Sequence, residues 1–167
     1  MRNLEAKFRL PDHAMARTRA EAIGFAMRAT FEQRDTFFAA RAGKLKLREE
    51  ADRASLIHYN RAPEGGLGLS NYEIVEIANA EAVRAMLADA LGIIAEVRKR
   101  RTLMMRRNVR LHLDQVEGLG DFVEIEAVLA DGDPATACRD EVEEILAALD
   151  VRADQLIDKS YFEMIAP

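Results

Sequence analysis

The chain has a single cysteine, Cys138, which rules out an intramolecular disulfide. No second Cys or His stands near it at a metal-ligand spacing, so Cys138 reads as a buried helical residue. No apolar run approaches the ~20 residues of a membrane span, and the chain enters a strand pattern at once, without the basic start and apolar stretch of a secretory leader. The cytoplasm is the expected location, with no membrane partner. There is no low-complexity tract and no convincing internal repeat. A basic excess is also missing: 24 Lys and Arg stand against 29 Asp and Glu, a net charge of -5. An acidic chain is not a general binder of phosphate backbones, so no nucleic-acid partner is expected and any basic site must be local.

What is present suits a folded, soluble chain. Hydrophobic residues make up 49% and charged residues 32%, with both signs mixed, and 167 residues suffice for one domain, 1–167, with a substantial core. The seven Met form no stripe and read as core filler. "RNLEAKFRL" alternates apolar and charged residues with period two, the pattern of a strand with one apolar face. Pro11 stops it, Asp12 is placed to cap a helix, and Gly24 ends that helix. "MRATFEQRDTFF", "KLKLREEA" and "SLIHYNRA" follow as three strands, "PEGGLGLS" as a flexible loop, and "NYEIVEI" as a further strand. A helix runs from the cap Asn79 to the stop Gly92. "IIAEVRKRRTLMM" and "NVRLHLDQVEGLG" form a long hairpin hinged near Arg107 and Asn108, and "EGLGD" turns into "FVEIEAVLA". A helix is predicted from Asp133 or Pro134 onward, and "DKSYFEMI" adds a short C-terminal turn. About eight antiparallel strands with helices between groups predict an α+β fold whose sheet closes to protect its edges.

Read two residues at a time, the strands repeatedly put charge on one face. Glu5 and Lys7 share a face, as do Lys44, Lys46 and Arg48; Tyr59 and Arg61; Lys99 and Arg101; Arg110, His112 and Asp114; and Phe122, Glu124 and Glu126. Leu45, Leu47, Val109, Leu111, Leu113, Val123 and Ile125 take the other face and are expected beneath the helices. In a closed barrel of about eight strands the charged face becomes a lumen with room for side chains or one small ligand. Unpaired charge there costs several kcal/mol per ion. The bases at 7, 46, 48, 61, 99, 101 and 110 outnumber the acids at 5, 114, 124 and 126, and that excess requires an anion. The acids suit a hard divalent cation such as Mg²⁺ or Mn²⁺, which works through carboxylates plus substrate phosphates. His13 and His58 read as structural or exposed; His112 has lumen parity.

The sequence resembles the CYTH or triphosphate-tunnel metalloenzymes, a family that includes class IV adenylate cyclases, thiamine triphosphatases and inorganic triphosphatases. The resemblance rests on "NLEAK" where the family has E-x-E-x-K, and on "KLKLR", "LIHYNR", "VRKRR", "VRLHLDQVEGLGDFVEIE" and "SYFEM". It implies a closed eight-stranded antiparallel β-barrel, a tunnel, with flanking helices. It implies further that Glu5, Glu124 and Glu126 are metal ligands with Asp114 as an additional acid, and that Lys7, Lys46, Arg48, Arg61, Lys99, Arg101 and Arg110 bind phosphates. Lys7 and Arg61 are the catalytic candidates. Asn3 departs from the pattern, standing where the family has its first glutamate; an amide oxygen can ligate Mg²⁺ but brings no charge. Gln115 replaces a common acid, with parity away from the lumen. The expected partner is a triphosphate-bearing small molecule, which could be inorganic triphosphate, thiamine triphosphate or ATP, and a homodimer is left open. Hydrolysis with release of phosphate is the favoured reaction. Conversion of ATP to cyclic AMP and pyrophosphate is the alternative, and a non-catalytic polyphosphate or nucleotide sensor is the third.

Overall fold

A computed structural model describes residues 1–64 and 67–165. Eight strands run in the order β1 (Arg2–Arg9), β2 (Ala26–Phe38), β3 (Lys44–Glu49), β4 (Ala54–Glu64), β5 (Leu67–Ile77), β6 (Ile93–Arg106), β7 (Val109–Val116) and β8 (Gly120–Leu129). They close into an antiparallel barrel with the order β1-β5-β4-β3-β2-β6-β7-β8. Four helices flank it: α1 (His13–Ala22), α2 (Ala80–Leu91), α3 (Arg139–Ala148) and α4 (Tyr161–Ile165). Closure leaves neither edge of the sheet unpaired, because β1 pairs with β5 on one side and β8 on the other. None of the described helices is long and apolar enough to cross a membrane.

The local signals act where expected. The Asp12 carboxylate accepts from the Met15 amide at 2.8 Å, and Asn79 caps α2 by accepting from the Ala82 amide. The β6–β7 hairpin turns at Arg107, which takes a positive φ of 52°. Leu4, Ala6 and Phe8 of β1, Leu111 and Leu113 of β7, and Val123 and Ile125 of β8 pack outward against Ala16 and Ala20 of α1 and Val142, Ile145 and Leu146 of α3. A second apolar cluster lies at one end of the lumen, where Tyr161 and Phe162 of α4 meet Phe37, Val97, Val116 and Phe122. Phe162 stacks on Phe37 at 4.9 Å, and Tyr161 meets Phe122 edge to face.

Three expectations are corrected. The stretch read as the loop "PEGGLGLS" is mostly strand, with β4 reaching 64 and β5 starting at Leu67; residues 65 and 66 lie outside the described residues. Gly68 looks like a loop residue in sequence, yet it sits in β5 because the Arg61 side chain fills the space a Cβ would need. The helix predicted from Asp133 or Pro134 begins later: residues 135–138 form a 3-10 turn that ends at the buried Cys138, and α-helix starts at Arg139. Among the Met, Met104 is in the core, whereas Met1, Met15, Met27 and Met86 are exposed.

Candidate active site in the barrel lumen

The period-two pattern has a direct outcome. All seven bases singled out by parity, Lys7, Lys46, Arg48, Arg61, Lys99, Arg101 and Arg110, line one lumen cavity, together with Asn3, Glu5, Asp35, Glu124 and Glu126. They arrive on five strands, β1, β3, β4, β6 and β7, so no single local segment builds the site. Lys44 shares the parity but lies toward the end of the barrel, where its Nζ reaches Glu163 and Ser160 Oγ at 2.9 Å. Gln115 is exposed. His13 Nε2 lies 3.1 Å from the Phe122 carbonyl oxygen and His58 Nε2 lies 2.9 Å from that of Ala42, both structural contacts.

The acids fall into groups with different surroundings. Asp114 is fully buried and does not line the cavity. Arg101 donates to it from Nε at 2.7 Å and from Nη2, Tyr161 donates its hydroxyl to Oδ2 at 2.9 Å, and Lys99 Nζ lies 3.5 Å from Oδ2. Burial alone would raise its pKa, but Arg101 and Lys99 outweigh it and hold the carboxyl at about 2. Asp35 on β2 was not singled out by sequence reasoning. It accepts from Lys46 Nζ at 2.9 Å and from Arg48 Nε and Nη2 at 2.8 Å, so one carboxylate stations two bases of β3. Burial and the neighbouring Arg48 pull Lys46 down to about 8.

Glu5, Glu124 and Glu126 face one another from β1 and β8. Glu5 pairs in register with Glu126, and Lys7 with Glu124. Lys7 Nζ is 3.0 Å from Glu124 Oε1 and 4.0 Å from the centre of the Tyr161 ring, and Arg101 donates to Glu124 Oε2. Arg110 lies 3.6 Å from Glu126. Arg61 donates to Glu5 from Nε at 3.1 Å, but this does not balance the site: burial, then the Glu126 and Glu124 carboxylates, push Glu5 up to about 7. A buried carboxyl so displaced, with two other carboxylates beside it, is a candidate functional group. The buried Asn3 Oδ1 also points into this region with no hydrogen-bond partner, and so does Nδ1 of His112, whose pKa burial lowers to about 4. Carboxylates plus neutral oxygen and nitrogen donors are a fitting ligand set for a divalent cation.

The lumen lining mixes charged with apolar and aromatic surface, as where Lys46 Nζ lies 5.6 Å from the Phe37 ring and 5.3 Å from that of Tyr59. Beside the charged residues, Phe37, Ile57, Tyr59, Ile74, Val97 and Phe162 line the same cavity. Asp35, Tyr72 and Tyr161 are among the lining residues that strand parity alone did not pick out; Tyr161 falls within "SYFEM", the one sequence signal that pointed to it.

Comparison with known proteins agrees with this architecture. Residues 1–161 match the CYTH domain. A protein of Methanocaldococcus jannaschii named "Putative adenylate cyclase" is 34% identical over 92 residues, 54% of this chain and 52% of that protein. The chain thus spans about half the length of the curated relative it matches. Among solved structures, the PH1012 protein of Pyrococcus horikoshii superposes with a TM-score of 0.87 at 20% identity, covering 98% of this chain and 99% of that one. A Hippeastrum protein described as a putative adenylyl cyclase with a dominant triphosphatase activity gives a TM-score of 0.66 at 18% identity over 96% of this chain and 93% of that one. At these identities the two structures attest the shared fold.

Proposed function

Because the chain belongs to the CYTH family, we propose that its lumen binds a triphosphate or nucleoside triphosphate with a divalent cation and hydrolyses it with release of phosphate. The observation that carries this reading is the facing of two charge groups inside one closed barrel. Seven bases reach in from five strands, and beside them stand Glu5, Glu124 and Glu126, where burial and then the two neighbouring carboxylates push Glu5 up to about 7. A bare anion would satisfy the bases and leave the acids crowded. A polyphosphate carrying its metal satisfies both.

Glu5, Glu124 and Glu126 are the proposed ligands of Mg²⁺ or Mn²⁺, and the ion would supply charge neutralisation at phosphate oxygens. Asp114 acts from behind: with both oxygens engaged by Arg101 and Tyr161, it fixes the Arg101 guanidinium toward the lumen. Arg48, Arg61, Arg101 and Arg110 offer forked donors to phosphoryl oxygens, and Lys7, Lys46 and Lys99 add point charges. Water attacks the terminal phosphorus, the new P–O bond replaces the bridging one, and the shortened phosphate chain leaves. Lys7 and Arg61 pair with Glu124 and Glu5, which supports assigning them to hold the transferred phosphoryl group, with Lys7 assisting the attacking water. Catalysis of this kind is positioning and electrostatic stabilisation.

The apolar and aromatic residues among the lining support a substrate with an organic group over inorganic triphosphate, and with it a second reading. In that reading, ATP places its ribose 3′-hydroxyl against the α-phosphorus, and cyclic AMP and pyrophosphate result. The name of the Methanocaldococcus relative points the same way, and the description of the Hippeastrum protein points to hydrolysis. The deciding experiment incubates the protein with triphosphate, thiamine triphosphate or ATP in Mg²⁺ or Mn²⁺ and separates the products. Free phosphate is expected. Cyclic AMP with pyrophosphate would establish the cyclase instead, and binding without turnover would make the protein a sensor.

A further inference from the structure

His112 has no role in the phosphate-binding scheme and does not line the cavity, yet it stands directly beside two residues that do, Glu124 and Glu126. It lies on β7 directly across from Glu124 of β8, is 5% exposed, and leaves Nδ1 buried without a hydrogen-bond partner. Leaving a buried polar atom unpaired costs about 1–3 kcal/mol, so an orphan of this kind calls for a ligand or a function. Nδ1 is 3.6 Å from Glu126 Oε1 and 4.0 Å from Glu124 Oε2, and one donor atom from each of the three residues can be enclosed within 4.8 Å. Around a six-coordinate ion with bonds of ~2.1 Å, donor atoms lie ~3 Å apart when adjacent and ~4.2 Å apart when opposite; the 3.6 Å and 4.0 Å separations fall between those limits, so small side-chain shifts bring the donors around one shared cation. Glu126 divides its two oxygens: Oε2 faces Arg110, and Oε1 faces the imidazole. An ion between Oε1 and Nδ1 would therefore not displace the arginine.

From this geometry we infer that His112 is a nitrogen ligand of the lumen metal, making the site a mixed imidazole–carboxylate centre selective for first-row transition cations such as Mn²⁺ or Co²⁺ over Mg²⁺. The inference rests on the metal-dependent reading above and goes beyond it. Carboxylates alone accept Mg²⁺ and Mn²⁺ with little distinction, whereas imidazole is a good ligand for the transition ions and a poor one for Mg²⁺. Asn3 strengthens the point, because an amide at that position leaves the site one negative charge poorer and the softer nitrogen donor counts for more.

The test needs no turnover. Metal-free protein is titrated with Mn²⁺ alone and with Mg²⁺ alone by calorimetry, and the Mn²⁺ form is examined by pulsed electron paramagnetic resonance for coupling to a ligating ¹⁴N. Directly bound nitrogen and Mn²⁺ affinity about 10-fold or more above that for Mg²⁺ are expected. His112→Asn, which keeps a polar atom near the Nδ1 position, should abolish the nitrogen coupling and bring the two affinities close together. The spectroscopic arm uses the unaltered protein, so a variant that fails to fold does not spare the proposal. Mn²⁺ binding without nitrogen coupling, and with the same preference in His112→Asn, would overturn the role of His112 and leave the triphosphate reading standing. Failure of both ions to bind, even with triphosphate present, would overturn both.

Discussion

Glu5 of β1 and Glu126 of β8 stand directly opposite each other on paired strands, with both side chains lining the lumen. Like charges in cross-strand register are destabilising. A fold that keeps such a pair, and adds Glu124 one inward position along the strand, holds in its metal-free state a cost that cation binding would relieve.

The cost has a pH signature. Glu5 titrates at about 7 in the folded protein against 4.5 for the free side chain, so between those values the folded state binds more protons than the unfolded one and stability falls as pH rises. Glu5→Gln removes this pH dependence. The variant should match the wild type near pH 4.5 and exceed it at pH 8 without metal, by at most about 3 kcal/mol and less because the carboxyl retains some solvent contact. Denaturant unfolding at the two pH values measures the difference. A variant less stable than wild type at pH 8 would show that Arg61 already compensates the charge.

Glu124 and Glu126 should behave differently when neutralised. Glu126→Gln loses charge at the proposed metal site and should weaken Mn²⁺-dependent turnover by roughly 10-fold or more, with partial recovery at high Mn²⁺. Glu124→Gln also deprives the buried Lys7 and Arg101 of a counter-charge, so it should lower stability by about 3 kcal/mol as well. Metal titrations of activity paired with unfolding curves separate the two effects. Wild-type activity in both variants at limiting metal would reduce these acids to structural counterions.

Asn3 is 3% exposed, with Oδ1 unpartnered in the lumen. Asn3→Glu places a fourth acid beside Glu5 and should destabilise the metal-free protein while strengthening Mn²⁺ binding about 10-fold. Thermal unfolding with and without Mn²⁺ reads both changes. A folded variant with unchanged or weaker metal dependence would show that position 3 does not face the cation.

Tyr161 ties the C-terminal helix to the lumen by donating to Asp114. Tyr161→Phe removes one hydrogen bond to a buried carboxylate that Arg101 still satisfies, and should cost about 1.5 kcal/mol. Unchanged unfolding would mean that α4 is held by Phe162 stacking on Phe37 rather than by this bond.

Much of the site was legible because strand parity is rigid. Once a strand is assigned, "KLKLR" must send Lys46 and Arg48 to one side and Leu47 to the other, and closure turns one side into a lumen. Asp35 escaped because "RDTFF" does not alternate: Phe37 is an apolar residue facing the lumen beside the outward Phe38, so both faces look apolar. The start of β5 escaped because Gly68 mimics a loop, and its reason for being glycine is Arg61, seven residues upstream on the neighbouring strand. Tyr161 sits in a five-residue helix, too short for any periodicity. The orphaned Nδ1 of His112 had no sequence signature beyond lumen parity, because its value depends on distances to β8.

The central claim is that the lumen grips a triphosphate through bases spread over five strands, and calorimetric ranking of inorganic phosphate, pyrophosphate and triphosphate in the presence of Mn²⁺ tests it most directly. A monophosphate can reach only a few of Lys7, Lys46, Arg48, Arg61, Lys99, Arg101 and Arg110 at once, whereas a longer chain engages several together, each charge-assisted contact adding about 1.5–3 kcal/mol. Affinity should rise steeply from phosphate to triphosphate, and equal affinities for the two would contradict the account.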